Sequence, residues 1–183
     1  MSAPTTTLDR TTTHAPARVA IAPADAGLLL LRLVVGVVLA GYGSQKLFGL
    51  FGGAGLVGTG EFFGSVGFTP GPFFATVGGL TELVGGLAIA LGVATPLAGA
   101  AVLAVMIGAF DVARSGSQEA FYPTMNGAGG ELMLAVAAAV IVLVGGGRFV
   151  LDGGRWFSAP RWRWLALGLG LLGGLAAVVY RMI

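Results

Sequence analysis

The chain has 183 residues, of which 56% are hydrophobic and only 10% charged, and its mean hydropathy is +0.91. Soluble domains average about 25% charged residues, and a soluble fold of this size could not cover so much apolar surface, so the composition is that of an integral membrane protein. A net charge of +2 is too small for a nucleic-acid footprint, and with no cysteine and one histidine, His14, the chain has no disulfides, thiolate metal sites, cysteine-ligated iron–sulfur clusters or bis-histidine haem in the membrane.

Residues 1–25 are rich in Thr, Ala and Pro and carry no periodic apolar pattern, so they read as a disordered cytoplasmic tail. A cleaved signal peptide is the rival reading, but its apolar stretch, about 7–15 residues long, would directly follow a basic start. Here the first apolar run begins only near Gly27.

Five segments are predicted to span, a transmembrane helix needing about 20 apolar residues. They run approximately over Ala26–Leu47, Phe73–Gly92, Leu97–Ala113, Gly129–Gly146 and Trp164–Arg181. Pro96, in the short link between the second and third, forces an antiparallel hairpin and stands where a first helical turn tolerates it. The connection from Gly49 to Pro72 holds one acid, Glu61, no base, and several phenylalanines among glycines. It predicts either a short interfacial helix around Thr59–Val66 or a lid packed over the bundle, and we favour the lid.

Arginine placement predicts orientation. With the N-terminus inside, the cytoplasmic side collects Arg10, Arg18, Arg148, Arg155, Arg161 and Arg163, leaving Lys46, Arg114 and Arg181 outside. Trp156, Trp162 and Trp164 read as interfacial anchors beside those arginines, and an odd number of spans puts the C-terminus outside. The chain then divides into the tail, a four-helix unit over 26–152, an Arg/Trp-rich cytoplasmic connection over 153–163, and an additional helix over 164–183.

Ionisable residues inside apolar spans are costly unless paired, hydrated or functional. Arg32, Gly36, Gly43 and Lys46 share one face of the first predicted helix, and Glu82 shares a stripe with Gly78, Gly85 and Gly86 on the second. Asp111 aligns with Gly108, Ala104 and Ala101, and Glu131 stands above Ala135 and Ala138. Small residues let membrane helices approach closely, so these charged faces are predicted to point inward. Lys46 and Glu131, with Glu82, form the expected outer cluster, joined by Tyr42, Gln45 and Asn126. It is read either as a ligand or proton site or as a lock that fixes helix register. Arg32 lies about 21 Å below Lys46 at 1.5 Å rise per residue and is expected to meet Asp152 or carbonyls. For Asp111, snorkelling outward is the alternative to this inward reading. Gly170 and Gly174 form a GxxxG pattern, read as packing against the bundle rather than dimerisation. No metal-ligand constellation is visible.

Three stretches carry a family resemblance: LLLRLVVGVVLAGYGSQKLFGLFGG, GGLTELVGGLAIALGVATPLAGAAVLAVMIGA and GGELMLAVAAAVIVLVGGGRFVLD. Together, over about residues 26–152, the chain resembles the DoxX family of small bacterial inner-membrane proteins. The resemblance implies an all-α four-helix membrane bundle, here with a fifth C-terminal span, and it brings forward Arg32, Lys46, Glu82, Met106, Glu131 and Asp152. It also implies a link to redox and sulfur metabolism, because the wider family includes the membrane subunit of thiosulfate:quinone oxidoreductase and proteins associated with oxidative-stress partners. A quinone is therefore the expected cofactor, and a redox enzyme the expected partner beside the lipid bilayer. A small transporter of a protonatable metabolite, suggested by Glu82 near mid-membrane, and a ligand-free membrane anchor are the competing readings.

Overall fold

The computed structural model describes residues 22–116, 128–153 and 159–183, so most of the predicted tail, Asn126, Arg155 and Trp156 lie outside the described residues. Among the described residues every regular element is helical: α1 Pro23–Phe48, α2 Gly55–Ser65, α3 Gly71–Leu91, α4 Thr95–Gly116, α5 Gly129–Val144 and α6 Pro160–Met182. A single 3-10 turn at Leu50–Gly52 joins α1 to α2. This is an all-α membrane protein.

Local chemistry sets the helix ends. Pro23 opens α1 in its first turn, and Gly49, at φ 70°, closes it by donating to the Gln45 carbonyl at 3.1 Å. Gly92, at φ 73°, ends α3 in the same left-handed conformation, with Val93 donating back to Ala88 at 2.9 Å. The chain then turns directly into α4. The predicted interfacial piece is a genuine helix, α2, laid across α3 and α1. Both readings of the 49–72 connection therefore meet in one element, a helical lid.

Contacts at the two ends give the topology. Lys46 meets Glu82 and Arg32 meets Ile89, so α3 runs antiparallel to α1. Arg32 also meets Gly146, just past the end of α5, while Arg163 at the start of α6 donates to Val144. Arg181, at the far end of α6, pairs with Asp111 near the end of α4. Helices α1, α4 and α6 thus run one way and α3 and α5 the other.

Four of these helices, α1, α3, α4 and α6, are long and apolar enough to cross a membrane. The fourth predicted span corrects to a shorter helix: α5 has 16 residues, because Gly145 at φ 81° breaks it before the predicted end. At 1.5 Å per residue it covers about 24 Å, against about 30 Å of hydrocarbon. It is nevertheless central. Ala135, Ala138 and Ile141 of α5 join Val35, Leu39, Ile89, Val102, Leu103 and Met106 in the buried core. Leu30 and Val37 of α1, Leu172 of α6 and many other large apolar side chains face outward, as lipid contact requires.

Helix α1 packs most extensively on α3, and glycine makes the approach possible. A Cβ on Gly36 would fall 2.5 Å from the Gly86 carbonyl oxygen, and one on Gly86 would fall 2.6 Å from that of Gly36. No side chain can relieve a clash with backbone. Gly36→Val is expected to lower detergent melting by the equivalent of about 1–3 kcal/mol of overpacking or more. Gly41→Val, on the same helix with nothing within 4 Å, should melt like the parent.

The GxxxG face of α6 is used within the chain. A Cβ on Gly170 would come 2.8 Å from the Ala100 carbonyl, and one on Gly174 would come 2.6 Å from Ile107 Cβ, so this stripe packs α6 onto α4.

Candidate functional site

The buried charges separate into three stations. At the end nearest the start of α1, Arg32 is 1% exposed and donates only to carbonyls: Ile89 at 2.8 Å, Ala90 at 3.1 Å, Gly146 at 2.5 Å and Phe149 at 2.7 Å. Two of these belong to the last turn of α3, whose carbonyls have no intrahelical donor. Of the two expected partners the carbonyls hold the guanidinium. Asp152 accepts instead from the Ala94 N–H at 2.8 Å, where α3 turns into α4, and acts on Arg32 through its field.

At the opposite end, Asp111 keeps the inward face its helix pattern predicts rather than snorkelling outward. Asp111 is 3% exposed, pairs with Arg114 at 2.7 Å and with Arg181 at 3.2 Å, and Arg181 also donates to Ser115 at 2.8 Å. The acid stays buried because α6, about 70 residues downstream, delivers a cation to it. Nothing in the local pattern of α4 signals that partner. Tyr180, adjacent on α6, donates to the Thr69 carbonyl at 2.5 Å and stacks on Phe74, its ring centroid 5.1 Å away.

Between these stations lies the third, and it opens into a cavity. Lys46 Nζ sits 2.6 Å from Glu82 Oε1 and 2.5 Å from Oε2, with the Glu82 side chain 1% exposed and that of Lys46 27% exposed. The close packing of Gly43 on the α3 backbone at Leu83 brings Lys46 down beside Glu82. Both residues line a cavity of about 400 Å³, together with Glu131 of α5. All three of the principal predicted residues therefore meet there, with Glu82 rather than Glu131 as the partner of Lys46.

The remaining members of the expected cluster do not join it. Tyr42 lies beneath the Lys46 ammonium, 5.7 Å from ring centroid to Nζ, and Gln45 donates to the Phe51 carbonyl at 3.4 Å. Neither lines the cavity. Asn126 is outside the described residues. Met106, brought forward by the family pattern, is a core residue.

The cavity wall is otherwise apolar and aromatic. Phe62 and Phe63 of α2, Phe68 and Phe74 close one side, and Gly78, Ala104, Gly108, Gly173 and Ala177 leave the space. The rings form a continuous chain, Phe63 to Phe68 at 5.8 Å and Phe68 to Phe74 at 5.2 Å between centroids. The lid expected over the bundle supplies this roof, whereas the contribution of α6 was not legible in single helices, because it comes from an element far along the chain. The phenylalanine spacing in the 49–72 connection was the available signal. The arrangement suits a flat, largely apolar molecule with one polar end, held by a few convergent groups. Among the described residues no group of His, Asp or Glu side chains is placed to hold a metal ion.

Comparison with known proteins places this geometry in context. The DoxX family model matches residues 27–115, which carry α1 to α4 and therefore Arg32, Lys46 and Glu82. The chain is 30% identical over 128 residues to a Bacillus subtilis (strain 168) protein named "Putative oxidoreductase CatD", an alignment covering 70% of this chain and 86% of that relative. No solved structure gives a significant match.

Proposed function

The chain belongs to the DoxX family, and from that premise we propose that it is the membrane subunit of a redox assembly, with the cavity holding a quinone headgroup. One observation carries the reading: a Lys–Glu pair and a second carboxylate open onto an aromatic-walled cavity of about 400 Å³, the size of a small-molecule site. The oxidoreductase name of the Bacillus subtilis relative supports a redox role of the same kind.

The residues present fit such a headgroup. The phenylalanine chain offers ring faces for an aromatic plane. Lys46 supplies an N–H to a ring oxygen while Glu82 holds its ammonium in place. The wall from α2, α3, α4 and α6 surrounds that end with apolar and aromatic surface. A bound quinone would supply two-electron, two-proton carrier chemistry, taking electrons from a partner redox enzyme. With no cysteine and no membrane histidine, this chain's own residues contribute binding, orientation and proton exchange at the carboxylates.

A cavity-filling variant tests the reading without touching a charge. The nearest neighbour of a Cβ on Gly78 is Phe63 at 3.5 Å, an ordinary contact, so a longer side chain there extends into the space. Gly78→Leu is expected to fold, to melt at or above the parent temperature, and to lose binding of decyl-ubiquinone or menadione measured by calorimetry in detergent. Unaltered binding would overturn the site. The transporter reading draws on Glu82, buried near the middle of α3, and predicts substrate counterflow abolished by Glu82→Gln. An anchor would bind neither.

We place the protein in the bacterial plasma membrane with the N-terminus inside and the C-terminus outside, as the arginines around α6 and the antiparallel helix order favour. The absence of native cysteine makes the test clean. Glu61→Cys should label with a membrane-impermeant maleimide in intact cells, and Arg148→Cys only after permeabilisation. The reverse pattern would invert the topology.

A further inference from the structure

From the hydrogen-bonding inventory of the cavity, and resting on the quinone reading above, we propose that the site selects the reduced, dihydroxy-aromatic form of its carrier over the oxidised dione, with Glu131 as the selecting residue. An ammonium has three N–H donors and no acceptor. Two of those on Lys46 are engaged by Glu82 Oε1 and Oε2, which leaves one for an occupant. Glu82, in turn, is bound through both oxygens. Glu131 lines the same cavity and, among the described residues, makes no hydrogen bond and no ion pair. The cavity thus offers one donor, on Lys46, and one carboxylate whose oxygens are unengaged.

A dione carries only acceptors. It can satisfy Lys46 but sets a carbonyl oxygen and ring edge against Glu131, with nothing to give it. A dihydroxy-aromatic ring satisfies both, because a phenolic oxygen accepts from Lys46 while an O–H donates to the Glu131 carboxylate. Hydrogen bonds from a neutral hydroxyl to a carboxylate are among the stronger ones. An acceptor facing an unpaired acceptor is the arrangement binding sites discriminate against most sharply. The four phenylalanine rings accept either oxidation state equally and supply affinity without this preference.

The experiment titrates the full-length protein in detergent, anaerobically, with decyl-ubiquinol and decyl-ubiquinone and reads dissociation constants by calorimetry. The quinol is expected to bind about tenfold more tightly or better, the size of one charge-assisted hydrogen bond. Glu131→Gln presents both an acceptor and a donor from the same shape and should bring the two constants together, with melting unchanged. Glu131→Leu should weaken the quinol and spare the quinone, which checks the assignment should the amide reorganise. Equal binding of both forms by the parent, or a preference for the quinone, overturns this inference while leaving the quinone site standing. Failure of both forms to bind overturns the site itself.

Discussion

Arg32→Met is expected to be among the most damaging single substitutions in the chain, lowering stability by about 3–5 kcal/mol, comparable to the cost of removing one partner of a buried charged contact. The guanidinium is almost fully enclosed and its donors reach carbonyls on two separate elements, the last turn of α3 and the turn after α5. Methionine fills the volume but donates to none of the four carbonyls; Ile89 keeps the Gly92 N–H at 3.2 Å, and each carbonyl left without a donor in the apolar bundle costs about 1–3 kcal/mol. A cation at the C-terminal end of α3 also opposes the negative end of the helix dipole, and that is lost too. Arg32→Lys should be intermediate, since a single ammonium cannot span carbonyls that a planar fork reaches together. Detergent melting followed by circular dichroism measures the series. By the scaling for soluble domains of this size, the methionine variant should melt roughly 10 °C early. Melting at the parent temperature would show that the carbonyls find other donors.

The second large effect concerns Lys46 and Glu82, and it distinguishes a binding site from a structural lock. Lys46→Met leaves the Glu82 carboxylate unpaired at 1% exposure, and Glu82→Leu takes from the ammonium its bidentate partner. Each single change should cost about 3–5 kcal/mol. The double change Lys46→Met with Glu82→Leu should recover most of that loss, because apolar pairs of similar volume replace buried ion pairs at little or no net cost. A coupling energy of the same size in the double-mutant cycle would establish the direct pair. Function should not follow stability. The restored double variant has no ammonium to meet a ring oxygen, so it should fold and fail to bind decyl-ubiquinone. A double variant that folds and binds normally would reduce the pair to a lock between α1 and α3.

Membrane class, the apolar helices and the inward charged faces all follow from one-dimensional patterns. A run of about 20 apolar residues can satisfy its backbone only as a helix in lipid. The recurrence of Gly36, Gly43 and Lys46 on one face of α1 then says which side a neighbour must approach. Helix periodicity alone therefore marked Lys46, Glu82 and Glu131 as inward groups, and the structure brings them to one cavity. What each charge meets was decided by tertiary packing. Asp111 is an inward acid without a named partner until α6 returns with Arg181, and Arg32 has both Asp152 and carbonyls as candidates until the ends of α3 and α5 present their carbonyls. The cavity likewise exists only because α2 folds its phenylalanines over small residues of α3, α4 and α6. A residue's periodicity shows which face of its own helix it occupies. Its partner depends on how helices far apart in sequence converge, and that convergence is set by the summed packing of the whole bundle.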